Sequence, residues 1–302
     1  MDGVCVTLSE LISIQRFANK VYYPPDGYAL RPGQHKSKLR GRGIDFSEAR
    51  NYQAGDEIRH MEWRITARTG RPHVKVYHEE RERPVVIFVD FNPSMYFGTQ
   101  IAFKSVIAAR MAAILAWTAA KQGDRIGGFL FSNDKHHEFI PRSRQAGVLP
   151  LLAKICHYSE DYKEKAFTSS RSFSHALRRM RRVAKPGSII VLISDFYNVD
   201  EHTERHLNNL RSHNDILAYH ICDPLELSPP PNGQYAITNG HQDFLLDTSI
   251  DSVNSDYKLA FAEKLRVLQN LLRRQQIQYV QVTPDQDLQL LVRQTFPRRN
   301  NG

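Results

Sequence analysis

Apolar and polar positions change texture at residue 84 of the chain. Before that point, Leu8, Leu11, Ile12 and Ile14 supply an apolar face over Thr7 to Val21, and Thr7 with Glu10 has capping-box spacing. This predicts a first helix that ends in "YYPPDGY". Residues 28–83 hold short, polar, turn-rich runs. In them "QAGDE" predicts a turn, and "HVKVYHE", where Val74 and Val76 alternate with Lys75 and Tyr77, predicts a strand. From Pro84 onward, apolar runs alternate with amphipathic ones. "VVIFVD", "DRIGGFLF", "SIIVLISD", "DILAYHICD" and "IQYVQV" predict strands. The first is a continuous apolar run ending in an acid, the pattern of a parallel strand buried on both faces. Between the strands, helices are predicted over Ala102 to Lys121, "GVLPLLAKICHYS", "SFSHALRRMRRVA", a segment within Asp200 to Ser212, and "DYKLAFAEKLRVLQNLLRRQQ", with "DQDLQLLVRQTF" closing the chain. A Pro-rich loop and a hairpin carrying an Asn239-Gly240 turn are predicted near 224–247.

Strands alternating with amphipathic helices predict an α/β fold, a doubly wound and mainly parallel sheet, preceded by a small β or irregular N-terminal module. The expected organisation is a helix over 1–27, a small β-rich module over 28–83, and an α/β domain over 84–302.

Composition narrows the function classes. A chain of 302 residues with 41% hydrophobic content can bury one large core or two modest ones. Cys5, Cys156 and Cys222 are far apart with no Cys-x-x-Cys pair, which argues against a disulfide framework or a zinc cage and for a reducing compartment. The start lacks a basic region followed by an apolar run, and the longest apolar helical segment, Ile101 to Ala120, is interrupted by Lys104 and Arg110. A cytoplasmic location is expected, with peripheral attachment at the inner membrane as the alternative. The net charge of +9 is spread along the chain rather than concentrated, so it makes no strong case for nucleic acid. An acidic protein partner or the inner face of a membrane fits the same number.

Candidate chemistry gathers at two strand ends. In a parallel sheet, ligands bind beyond the carboxyl ends of the strands near the switch point. Asp90 ends one strand and Asp195 follows another, and "DFNPS" spaces the oxygens of Asp90, Asn92 and Ser94 on alternate residues. A hard cation such as Mg²⁺ or Mn²⁺ favours such an oxygen array. The competing reading is that these acids cap helices or bind backbone amides. The run Arg178 to Arg182 reads as a solvated helix face, and the histidines, without ligand spacing, as surface residues.

The order Asp-x-Asn-x-Ser, then the hydroxyl-rich "TSSRS", then Asp195 resembles the metal-ion-dependent adhesion site of von Willebrand factor A-like domains. That likeness implies a divalent cation held by Asp90, Asn92, Ser94 and Asp195, with Thr168 or Ser170 as a further ligand. Asn92 and Arg171 depart from the pattern. They imply weak metal binding at best, or an arginine in place of the cation. A longer string, "GRGIDFSEARNYQAGDEIRHMEWRITAR" with "VVIFVDFNPSMYFG" and "VLISDF", resembles the bacterial domain-of-unknown-function 58 family. Its matching positions are Asp45/Phe46, Arg50/Tyr52, Gly55/Asp56, Arg59/Trp63, Ala67/Arg68 and Ser94/Met95. Physically, that segment reads as an interface module. Phe46, Tyr52, Met61 and Trp63 are expected to pack, and Arg50, Asp56, Arg59 and Arg68 to form charge-assisted bonds or partner contacts.

The resemblance implies a non-enzymatic adaptor or chaperone-like protein. Its expected partners are a MoxR-type AAA+ ATPase and other von Willebrand A-like proteins, and its expected surface is the strand-end rim that includes Tyr96 and Tyr197. The alternatives are a metal-dependent phosphoesterase built on Asp90 and Asp195, and a basic nucleic-acid-binding protein. No P-loop, nucleophile elbow or His-rich metal set is present in the sequence.

Overall fold

The computed structural model describes residues 2–18, 45–78, 82–132, 135–161, 173–238 and 243–295. The chain divides into two compact units, Met1–Pro24 with Arg83–Gly302, and Pro25–Glu82. The first helical segment therefore belongs with the α/β unit. It is two short helices, α1 (Leu8–Ser13) and α2 (Gln15–Ala18), where the sequence pattern predicts one. Thr7 caps α1 by accepting from the Glu10 amide.

The smaller unit pairs β1 (Asp45–Asn51) antiparallel with β2 (His73–His78), and between them lies a helix, α3 (Trp63–Thr69), that the polar run conceals. Gly70, in the left-handed region at φ +68°, ends α3.

The larger unit is built on a six-stranded sheet. Its strands are β3 (Pro84–Asp90), β4 (Arg125–Phe131), β5 (His136–Ser143), β6 (Ile189–Ser194), β7 (Asp215–Ile221) and β10 (Gln278–Val282), in the order β10-β7-β6-β3-β4-β5. All neighbours are parallel except β4 and β5. The edge strand β5 is not among the predicted strands. At the end of the sheet it has one neighbouring strand and is largely exposed, and it reads "HHEFIPRS", too polar for the buried-strand pattern.

Alternation along β3 shows why the apolar run is continuous. Val85, Ile87 and Val89 join one core with α1, α4 (Lys104–Lys121), α5 (Gln145–Glu160) and α10 (Leu288–Thr295). Val86 and Phe88 join the other, with α6 (Phe173–Met180), α7 (Thr203–Arg211) and α9 (Asp251–Arg274). Helices cover both faces, so each strand residue finds an apolar partner on one side or the other. The α4 helix is buried almost all round, and its alanines let it lie close to β3 and α5. Helix α6 stops at Met180, before the end of the arginine run. The "PLEL" segment forms a one-turn helix, α8 (Pro224–Leu227), inside the predicted loop. The hairpin strands β8 (Gln234–Thr238) and β9 (Asp243–Asp247) pair antiparallel, and the Asn239-Gly240 turn lies outside the described residues.

Chain order reverses direction at β3. The path steps to β4 on one side and later to β6 on the other, which makes the gap between the ends of β3 and β6 the switch point.

Candidate functional site

Asp90 closes β3 and Asp195 follows β6, so the two predicted acids meet at that switch point. Both are buried. Each is fixed by a tight local turn that a strand end followed by a loop permits. The Asn92 amide donates to Asp90 Oδ1 at 2.8 Å, and the Tyr197 amide to Asp195 Oδ1 at 3.1 Å. Ser194 Oγ donates to Asp90 Oδ2 at 2.6 Å while accepting from the Phe196 amide at 2.8 Å. Phe196 itself is held at φ +50°, an unfavourable conformation for a bulky residue, and sits directly after Asp195.

The fourth carboxylate oxygen reveals a group the sequence reading did not assign. Lys104 Nζ donates to Asp195 Oδ2 at 2.8 Å and to Glu226 Oε1 at 2.6 Å, and the lysine side chain is 1% exposed. Glu226 in turn accepts from the Asp223 amide, and Asp223 accepts from the Leu225 amide, closing a capping box on α8. Asp223 also accepts from the Thr99 amide and hydroxyl at 2.9 and 2.7 Å. One buried ammonium thus ties the first residue of α4 to the ends of β6 and β7. Breaking such a buried pair from one side costs about 3 to 5 kcal/mol, because the remaining charge is left without a partner.

The electrostatics follow from burial and from that lysine. Burial raises the Asp90 carboxyl to about 7, helped by the charge on Asp195, against the opposing effects of Ser194, the Asn92 amide and Lys104. Burial would also raise Asp195, but Lys104 outweighs it and holds that carboxyl below the usual range. Burial would lower Lys104, yet Asp195 and Glu226 hold it above an ordinary lysine. Near neutral pH the pair therefore contains one firmly charged acid and one poised to bind a proton.

The remaining predicted ligands are present but unmatched. Asn92 is fully buried, and both atoms of its side-chain amide lack a hydrogen-bond partner, as do the buried hydroxyls of Ser94, Ser105 and Ser132. The Ser94 hydroxyl helps to lower Asp195 without reaching it in ordinary hydrogen-bond geometry. Thr168, Ser170 and Arg171 lie outside the described residues. A divalent ion does not fit this arrangement. Every carboxylate oxygen of Asp90 and Asp195 already accepts a hydrogen bond, and a positive charge is seated against Asp195. Among the described residues, no cluster of three His, Cys, Asp or Glu side chains could hold a metal.

The rim differs from expectation in one respect. Tyr197 is exposed, at 63%, with Lys264 Nζ 4.6 Å above its ring. Tyr96 is not free. It is half-buried, and its hydroxyl donates to the Tyr158 carbonyl at 2.6 Å. Phe97 is exposed, its ring 5.8 Å from Lys104 Nζ, and Ile101 nearby in sequence is exposed as well. Nor are the histidines simply surface residues, since His220 packs between Phe196 and Tyr279 and burial lowers it to about 4.

In the smaller unit, Arg50 pairs with Asp56 at 2.6 Å, and Asp56 also accepts from the Gln53 amide. Trp63, expected to be packed, is 64% exposed at the start of α3, because the face of that helix that turns inward carries Ile65 and Thr66 instead. Tyr52 and Met61 are half-buried, Arg59 and Arg68 exposed, and the Phe46 side chain lies outside the described residues.

A family model described as a protein of unknown function, DUF58, matches residues 48–267, spanning both the charged N-terminal motif and the two strand ends. The chain belongs to the DUF58 family. Family relatives include the uncharacterized proteins Rv1480 of Mycobacterium tuberculosis and Mb1516 of Mycobacterium bovis, each 27% identical over 235 residues that cover 76% of this chain and 71% of the relative. Among solved structures, the conserved hypothetical protein BatB from Bacteroides thetaiotaomicron is similar at 13% identity with a TM-score of 0.45, covering 70% of this chain and 96% of its own. An uncharacterized membrane spanning protein from Vibrio fischeri aligns at 16% identity with a TM-score of 0.20, over 71% and 96% of the two chains. Among the described residues of this DUF58 protein, no helix is long and apolar enough to cross a membrane.

Proposed function

We propose that this DUF58 protein is a non-enzymatic adaptor that binds a partner protein across the rim of its strand-end site, the partner being a MoxR-type AAA+ ATPase. The observation that carries the reading is the engagement of the site's acids. Asp195 is bound to Lys104, and Asp90 to Ser194 and the Asn92 amide, so both are spent on holding the strand ends. Catalysis of phosphoester hydrolysis needs a base in reach of substrate or a metal-bound water; Asp90 is poised to bind a proton, but it is buried with both oxygens engaged, and among the described residues no acid cluster stands ready to hold a metal. What faces outward is the aromatic and apolar set Phe97, Ile101 and Tyr197. Exposed aromatics beside a rigid polar floor suit the burial of a protein surface.

The identity of the ATPase, the further von Willebrand A-like partners and a von Willebrand A-like classification of the sheet rest on the family resemblance, and a cytoplasmic setting rests on the cysteine usage. On this reading the adhesion-site pattern is degenerate, with its cation replaced. The test is a binding titration of the purified chain against the MoxR-type ATPase of the same host. Phe97→Ala with Tyr197→Ala should weaken the complex at least about tenfold, the cost of losing one hot-spot aromatic, with the thermal unfolding temperature unchanged. Unchanged affinity would sink the rim assignment, and metal-dependent phosphoester turnover lost in Asp90→Asn would promote the enzyme in its place.

A further inference from the structure

The structure assigns Lys104 as a built-in counter-cation, a tethered ammonium that does at this switch point what a divalent ion does in a metal-bearing strand-end site. The placement carries the argument. Its Nζ lies 2.8 Å from Asp195 Oδ2 and 2.6 Å from Glu226 Oε1, bridging two carboxylates from different elements, which is the structural work of a bound cation. It is fully enclosed, and its position at the first turn of α4 is unfavourable for a cation on helix-dipole grounds alone. A lysine kept there against both burial and the dipole is held by its two acids.

Two consequences follow. The site is metal-independent, because a divalent ion approaching Asp195 meets a fixed positive charge. The site is also convertible. With the ammonium gone, Asp195 and Glu226 are left facing a vacancy with no counter-charge. In the adjoining loop after β3, the buried side-chain oxygen of Asn92 has no hydrogen-bond partner, and the buried Ser94 hydroxyl lies close enough to Asp195 to help lower it. Two carboxylates with neutral oxygen donors and retained waters form a set that Mn²⁺ or Mg²⁺ accepts. This inference concerns the site's own charge and stands whether or not an ATPase is the partner.

The experiment titrates MnCl₂ against the full chain at matched ionic strength, reading bound Mn²⁺ by its electron paramagnetic resonance signal and stability by thermal unfolding. Wild type should bind no Mn²⁺ saturably, and chelation should leave its unfolding temperature unchanged. Lys104→Ser should unfold at lower temperature than wild type and recover on adding Mn²⁺, with saturable binding that Asp195→Asn in the same background abolishes. A folded Lys104→Ser protein that takes up no Mn²⁺ would overturn the proposal. If Lys104→Ser folds only when Mn²⁺ is present, the proposal is supported. If it folds under neither condition, the wild-type arm decides: saturable Mn²⁺ binding by wild type that is lost in Asp90→Asn refutes a built-in cation, and its absence upholds it.

Discussion

Replacing Asp90 by Asn should stabilise the protein, and by more as the pH rises. The carboxyl is raised from an ordinary value of 3.8 to about 7, first by burial and then by the charge on Asp195. The folded chain therefore holds a proton that the unfolded chain has already released. That contribution to stability is complete below the unfolded pKa of 3.8 and is lost as the pH climbs through about 7. Raising the carboxyl from 3.8 to about 7 corresponds to roughly 4 kcal/mol in full, of which about 3 kcal/mol falls between about pH 5 and about pH 8. Asparagine keeps the acceptor for the Asn92 amide and has no charge to desolvate, and Ser194 Oγ can turn to accept from its amide. His220 titrates in the same window with the opposite sign. Burial lowers it from 6.5 to about 4, so its contribution is present above 6.5 and lost as the pH falls. The wild-type profile alone mixes the two. The assay is accordingly urea unfolding of wild type and Asp90→Asn side by side across that pH range, with the difference in unfolding free energy plotted against pH. The difference should grow by about 3 kcal/mol toward alkaline pH. A difference that is flat, or that shrinks as the pH rises, would refute the raised carboxyl and with it the electrostatic account of the pair.

Three other substitutions test the surroundings. Trp63→Ala, at a side chain 64% exposed, should change stability by no more than about 0.5 kcal/mol in urea unfolding, and a loss of several kcal/mol would restore the packing role its aromatic ring suggests. Gly128→Ala in β4 places a Cβ 2.5 Å from Leu151 Cδ1, so the core must give way, and a cost of about 1 to 3 kcal/mol with a lowered unfolding temperature is expected. Tyr96→Phe removes the 2.6 Å bond to the Tyr158 carbonyl and should cost about 1 kcal/mol, whereas an unchanged unfolding midpoint would mean that water replaces the hydroxyl without loss.

Much of the fold is legible because burial on two faces leaves a simple trace. Val85 to Val89 and Ile189 to Ile193 are apolar at every position since alternate residues enter opposite cores, and such runs separate cleanly from amphipathic helices. The elements that escape are those whose environment is one-sided or local. β5 is an antiparallel edge strand with polar residues outward, and α3 is a two-turn helix whose inward face is only Ile65 and Thr66. Neither carries enough periodic apolar residues to stand out from a loop. The placement of Asp90 and Asp195 was readable for a similar reason, because each interrupts or follows a run that only a sheet interior explains.

Lys104 is hidden in the sequence because a charge inside an apolar segment looks like an interruption of it. Phe103 to Lys121 is apolar or small nearly throughout, and two of its charges have different fates. Arg110 reaches the surface side of α4, where it bonds Glu10 at 2.8 Å, as a helix charge at the edge of a core is expected to do. Lys104 cannot do the same, since every side of the first turn of α4 faces the interior: Ser105, Val106, Ile107 and Ala108 are all buried with it. A cation there violates the helix dipole, the apolar pattern and the burial preference of lysine together, and a local choice that breaks three rules without a visible gain marks a functional or electrostatic demand elsewhere. The demand is two strand-end carboxylates distant in sequence, Asp195 and Glu226, which no spacing relates to residue 104. Sequence could therefore show that a positive charge was out of place but not what it was for; only the sheet order, which brings the end of β6 and the turn after β7 up to the start of α4, joins the anomaly to its cause.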